Sequence, residues 1–194
     1  AAREHMLKFL FDKTVAAILL TVLSPVILIC VLIIRAGSPG PGIFRQTRVG
    51  RNEVPFTCLK LRTMYVTVAN VPSHEASASG ITSVGHFMRR TKLDELPQLI
   101  NVLLGEMSFV GPRPCLPQQT ELIQLRRERN VFALRPGITG LAQIRNIDMS
   151  DPARLAEVDA AYATHRGFFV DLDIMWRTVA GGGRGDRIPS NDTH

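Results

Sequence analysis

From Thr14 to Ile34 the chain reads TVAAILLTVLSPVILICVLII, 21 residues without a charge. As a straight helix this run is about 31 Å long, the thickness of a bilayer's hydrocarbon core. A soluble helix this apolar needs burial on all sides, which so short a chain can hardly provide. A secretory signal has a shorter apolar run and a small-x-small cleavage site. Ser24-Pro25 sits near the middle, where proline removes an N–H and kinks or breaks a helix. Basic residues flank both sides: Lys8 and Lys13 before, then Arg35, Arg45, Arg48 and Arg51 after. The positive-inside tendency places both flanks in the cytoplasm. That is met if the segment enters one leaflet, turns at Ser24-Pro25 and returns, with the Ser24 hydroxyl satisfying the opened backbone. A kinked helix crossing the bilayer is the alternative.

After this run the pattern changes. Residues 37–42 (GSPGPG) form a turn-rich linker. Alternating positions over 43–49 and 54–64, with Gly50-Arg51-Asn52 between, predict a β-hairpin. Residues 65–83 are small and polar, as in a mobile loop. Helices are expected over 84–91, from Asp94 to Leu104, and over 117–130. A short strand is expected over 107–110 and another over 141–145, after the rigid turn 135–140. Asp151 caps an expected helix over 152–165, with Pro152 in its first turn. Phe168, Leu172, Met175, Trp176 and Val179 recur at helical spacing. That stripe suits either a membrane interface or a core face.

The resulting fold class is mixed α/β of the α+β kind, helix-rich, with a re-entrant membrane helix, a small cytoplasmic domain and interfacial amphipathic helices. The expected organisation is an expression remnant over 1–5, the re-entrant hairpin over 6–36, a compact basic domain over 37–180, catalytic on the resemblance given below, and a flexible tail over 181–194. Composition narrows the functional classes. The chain has 23 Lys+Arg against 17 Asp+Glu, a net +6, yet is 45% hydrophobic. The apolar run holds none of that charge, so the basic balance belongs to the rest. Three widely spaced cysteines make no disulfide framework and fit a reducing compartment. With 6% aromatics and no recognition motif, nucleic acid is not the expected polyanion.

Two motifs carry chemistry. In RRTKLDELPQL (89–99), Pro97 is tolerated only in a first helical turn. Asp94 then becomes an N-cap and Glu95 the first helical residue. The plain reading stops there. The functional one adds that Arg89, Arg90 and Lys92 lower the pKa of Asp94 and keep it ionised. An ionised carboxylate can hold Mg²⁺ or act as nucleophile, with its neighbour as general base. In Gly111-Pro112-Arg113-Pro114, two prolines fix the backbone around an arginine suited to phosphate or to stacking. A solvated arginine on a rigid turn is the alternative. Lys60 and Arg62 on the hairpin add basic charge.

The segments SPGPGIFRQTRVGR (38–51), KLRTM (60–64), RRTKLDELPQLINVLLGEMSFVGPRP (89–114) and RPGITGLAQI (135–144) resemble the bacterial sugar transferase family, the small monotopic phosphoglycosyl transferases. The resemblance implies transfer of a phosphosugar from a UDP-sugar to polyprenol (undecaprenyl) phosphate at the bacterial inner membrane, with release of UMP. It implies a re-entrant helix broken at Ser24-Pro25. It makes Asp94 the nucleophile of a covalent intermediate and a Mg²⁺ site, and Glu95 the assistant base. Lys60, Arg62, Arg89 and Arg135, with Pro112, Arg113 and Pro114, become substrate-binding positions. The chain departs from the family's common pattern at Lys92, at Glu106 and over 144–148, which leaves the sugar open. A membrane-anchored module that binds anionic lipid or a partner without catalysis is the rival reading.

Overall fold

The computed structural model describes residues 2–66 and 80–181. Most of the expected loop and the tail from 182 lie outside them. The first element, α1, is a single helix over Ala2–Gly37. Pro25 lies inside it and has no N–H for the Thr21 carbonyl. The Ser24 hydroxyl donates to that carbonyl at 2.9 Å. This local replacement lets the helix continue, so the expected turn between two halves is instead a repaired proline site.

One side of α1 packs on the rest of the chain along its length. Ala16, Leu19 and Leu23 join Phe56, Leu99, Val102 and Ile174 in the main core. Further on, Cys30 and Ile34 close over Leu61 and Met88. Polar contacts pin both ends. Lys8 Nζ donates to Asp171 Oδ2 at 2.5 Å and Ser108 Oγ to Asp12 Oδ2 at 2.7 Å. At the far end Arg62 donates to the carbonyls of Ile34 and Ser38, at 3.5 and 2.8 Å, and to that of Pro39. The other side of α1 exposes Ile18, Val22, Leu28, Ile29 and Leu32.

The hairpin forms as the alternation predicts. β1 (Ile43–Val49) pairs antiparallel with β2 (Pro55–Leu61), placing Ile43 opposite Leu61 and Val49 opposite Pro55. The Asn101 side chain works along β2. Leu59 N–H donates to its Oδ1 at 3.1 Å, and its Nδ2 donates to the Thr57 carbonyl at 2.7 Å. Backbone groups of an unpaired strand edge need such partners. α2 (Ser83–Thr91) is capped by Thr82, whose hydroxyl accepts from Gly85 N–H at 2.9 Å. A Cβ on Gly85 would meet the Thr63 carbonyl oxygen at 2.1 Å, so glycine lets α2 rest on that backbone.

A 3₁₀ turn (Leu93–Glu95) leads into α3 (Gln98–Leu104), and β3 (Ser108–Val110) follows. β3 pairs in parallel with β4 (Gly137–Thr139), Ser108 against Gly137 and Val110 against Thr139. α4 spans Thr120–Glu128, shorter than expected because extended and turn residues precede Thr120. The strand expected at 141–145 is a correction. Those residues form the short helix α5 (Leu141–Ile144), because pairing with β3 ends at Thr139. α6 (Pro152–His165) starts as expected, Asp151 accepting from Arg154 N–H at 3.0 Å. In α7 (Phe168–Val179) the buried positions are Asp171 and Ile174, whereas Phe169 is 83% and Trp176 71% exposed. Of its apolar stripe, Phe168, Leu172, Trp176 and Val179 face outward, whereas Met175 packs on the main core. Cys30, Cys58 and Cys115 are free and buried. The helix-rich α+β class holds.

Candidate active site

The acidic pair stands where three elements converge. Lys92 ends α2 in the left-handed region (φ 59°), its N–H directed to the Arg89 and Met88 carbonyls. This bend throws Asp94 and Glu95 into the 3₁₀ turn, and α3 begins only after Pro97. Asp94 is therefore not the N-cap of a continuous helix from 94 to 104. Its side chain makes no capping bond there, and the plain capping reading loses its basis. The backbone sends this carboxylate into a buried corner instead, 8% exposed.

β2 brings Lys60 to the corner, and the turn after β3 brings Arg113. Both meet one atom: Glu95 Oε1 accepts from Lys60 Nζ at 3.2 Å and from Arg113 Nη2 at 3.1 Å. Arg89 arrives from α2, its Nε donating to Thr63 Oγ1 at 2.9 Å. Arg89 Nη1 is buried without a hydrogen-bond acceptor among the described residues. Lys92 lies within electrostatic range of Glu95 and Arg113. Four cations around two carboxylates leave a positive surplus.

The electrostatics reverse one expectation. Burial pushes Asp94 up to about 6, outweighing the opposing pull of Lys60, with Glu95 adding to the rise and Arg89 and Arg113 opposing it. Desolvation of the charged form wins over neighbouring cations. At neutral pH Asp94 is still mostly ionised but far less solvated than a surface aspartate. This suits a nucleophile.

The sequence did not reveal what holds Arg113. Arg126 on α4 donates from Nη1 to the Arg113 carbonyl at 2.9 Å. Its other nitrogens grip Asp159 Oδ2 on α6, at 3.0 and 2.6 Å. Arg48 on β1 donates to the Pro114 carbonyl at 2.9 Å and to Gln46 Oε1. Gly137 N–H donates to the Pro112 carbonyl at 2.9 Å. Three successive carbonyls of the turn, from Pro112 to Pro114, are thus held. The only signal in the sequence was apolar spacing around Arg126 and Asp159 on helices with otherwise solvated charges.

Two expected binding residues are engaged elsewhere. Arg62 is buried against the linker, as described above. Arg135 donates to the Gly105 carbonyl at 2.9 Å and stacks on Phe9, 4.4 Å from the ring centroid. Both tie α1 to the domain. For a metal, the corner offers Asp94 with Glu95 beside it. Among the described residues no three His, Cys, Asp or Glu side chains gather at one point. One or two carboxylates completed by substrate phosphates is the donor set Mg²⁺ takes, so the corner fits that ion.

The family follows from comparison of the sequence with known proteins. Residues 3–183 match the bacterial sugar transferase family. The chain is 37% identical over 183 residues to a UDP-glucose:undecaprenyl-phosphate glucose-1-phosphate transferase of Caulobacter vibrioides, covering 89% of this chain and 68% of that protein. It is 38% identical over 187 residues to the protein of that name from Escherichia coli, covering 91% of this chain and 40% of the longer relative. An exopolysaccharide production protein of Rhizobium leguminosarum is 37% identical over 192 residues, with 91% of this chain and 94% of that protein covered.

Proposed function

This chain belongs to the bacterial sugar transferase family, and we propose that it transfers a sugar 1-phosphate from a UDP-sugar to a polyprenol phosphate, releasing UMP. UDP-glucose and undecaprenyl phosphate, named for the Caulobacter relative, are the first substrates to try. The observation that carries the reading is the corner itself. A buried carboxylate, Asp94, stands beside Glu95 among Lys60, Arg89, Lys92 and Arg113, on a body fastened to an apolar helix.

In the first step the Asp94 carboxylate attacks the sugar-bearing phosphorus. A carboxylate–phosphorus bond forms, the bridging P–O bond breaks, and UMP leaves with that electron pair. Lys60, Arg89 and Arg113 neutralise charge on the transferring group, the main task in phosphoryl transfer. Bound at Asp94, Mg²⁺ would supply further charge neutralisation to the diphosphate. In the second step Glu95 takes the proton from the polyprenol phosphate. The freed oxygen attacks the phosphosugar phosphorus, and Asp94 departs as carboxylate. Two steps let a water-soluble donor and a lipid acceptor use one corner in turn.

The same proposal includes the topology. Lys8 and Asp12 at one end of α1, and Ile34 and Ser38 at the other, are bound to the same body. A helix crossing the bilayer would carry one end away from that body. We therefore place α1 in one leaflet, on the cytoplasmic face of the inner membrane, with the outward apolar stripe of α7 at the interface. Labelling of a cysteine placed at Lys8 should be confined to the cytoplasmic side, and labelling from outside overturns this topology.

The activity is tested by UMP release from UDP-glucose and undecaprenyl phosphate in lipid nanodiscs. Wild-type protein should turn over and Asp94→Asn should not. Normal turnover by that variant removes Asp94 as nucleophile. Absence of UMP release from every UDP-sugar tried favours the non-catalytic anchored module.

A further inference from the structure

We infer that Arg126 and Asp159 are positioning residues for donor binding: the pair sets the place of Arg113 by holding that residue's main-chain carbonyl. The inference rests on the reading of Arg113 as a donor-binding group.

The geometry is specific. Arg126 is 2% and Asp159 3% exposed, so neither meets substrate or solvent. The guanidinium is divided between two tasks. Nε and Nη2 bind Asp159 Oδ2, and Nη1 binds the Arg113 carbonyl at 2.9 Å. The ion pair fixes the plane of the fork, and the fork fixes the carbonyl. The neighbouring Pro112 and Pro114 leave the chain little freedom to compensate. The Arg113 side chain then extends 3.1 Å from Glu95. A chain of contacts runs from α6 through α4 to the acidic pair without Arg126 touching the corner.

A merely structural ion pair makes a different prediction. A buried pair replaced by apolar residues of similar size usually costs little stability, whereas removing one partner costs much. Arg126→Met combined with Asp159→Leu should therefore melt close to wild type. It should nevertheless lose the grip on the Arg113 carbonyl. Small misplacements of a binding group can cost up to about a hundred-fold.

The experiment measures UDP affinity by calorimetry for four full-length proteins in detergent, alongside wild-type turnover of UDP-glucose. These are wild type, Arg113→Ala, the Arg126→Met/Asp159→Leu pair, and the three changes combined. The paired change should weaken UDP binding on the order of ten- to a hundred-fold at near-normal melting temperature. In the Arg113→Ala background it should add almost nothing, because its route to the ligand is gone. Wild-type affinity in the well-folded paired variant overturns the positioning role, and so does a triple variant whose loss is the product of the two. Wild-type protein that neither binds UDP nor turns over UDP-glucose overturns the donor reading and this inference with it.

Discussion

Arg113 and Arg126 each face a carboxylate, and they do opposite work. Arg113 shares Glu95 with Lys60 at 3.1 and 3.2 Å, with side chains about 15–16% exposed. Arg126 grips Asp159 at 2.6 Å with both side chains at 4% exposure or less. The first set is half-buried and shares one acceptor atom between two cations, so an incoming phosphate can compete for it. The second is sealed, and its remaining N–H bonds backbone. Access to an incoming anion, not the type of ion pair, separates the working corner from its frame.

The largest effect should come from the corner, and its sign sharpens the contrast. Asp94→Asn should cut UMP release by at least about 10³-fold, as loss of a nucleophile does. It should not cost stability. A carboxylate whose folded pKa is raised stabilises the fold fully below its unfolded value and loses that contribution as pH rises through about 6. At neutral pH the charge in this buried corner is a liability, and the neutral amide removes it. A gain of about 1 kcal/mol raises the melting temperature of a chain this size by roughly 2–4 °C. A fall in melting temperature would make Asp94 part of the frame.

Next comes the frame. Arg126→Met alone leaves Asp159 buried and unpaired and should cost about 3–5 kcal/mol in denaturant unfolding. Arg113→Ala should cost less than that, because Lys60 still pairs with Glu95 Oε1 at 3.2 Å. Similar losses for the two would erase the distinction.

The pH dependence tests which force governs Asp94. If burial does, UMP-release kcat/KM falls as pH drops through about 6, as the nucleophile is protonated. The value at pH 5 should be about tenfold below that at pH 7. An acid limb near 4 would mean that Lys60, Arg89 and Arg113 outweigh desolvation in the free enzyme.

The sequence announced the working corner better than the frame, for a physical reason. Asp94, Glu95 and Arg113 sit in local motifs, and the hairpin, α2, α6 and α7 follow from periodicity and caps, although periodicity left open which way the α7 stripe faces. The frame is made of contacts far apart in the chain. Arg126 and Asp159 are 33 positions apart and Arg48 and Pro114 66 apart, so no local pattern joins them. Asp94 itself was misplaced as a cap because the left-handed turn at Lys92 starts a 3₁₀ segment that propensity does not foresee. The strand expected at 141–145 failed because tertiary pairing stops at Thr139. Ser24 was legible as a backbone partner beside Pro25, but in a turn between two halves; the hydroxyl instead serves the Thr21 carbonyl inside one helix.

Arg62 offers the smallest test and the closest to the boundary between the two regions. Its place in KLRTM puts it two residues from Lys60, and the family resemblance puts both in the site. In the structure its guanidinium goes to Ser38, through the carbonyl at 2.8 Å and the hydroxyl at 3.0 Å, and to the Pro39 carbonyl. By that geometry it is a second frame arginine, tying the linker after α1 to the end of β2. Lysine at this position keeps the charge but cannot fork across several acceptors. Arg62→Lys should therefore lower stability by about 1–2 kcal/mol, the worth of one or two hydrogen bonds to a charged group. Its KM for UDP-glucose should stay within about threefold of wild type, far from the loss expected for Arg113→Ala. The reverse outcome, normal melting with a large rise in donor KM, would move Arg62 back to the corner.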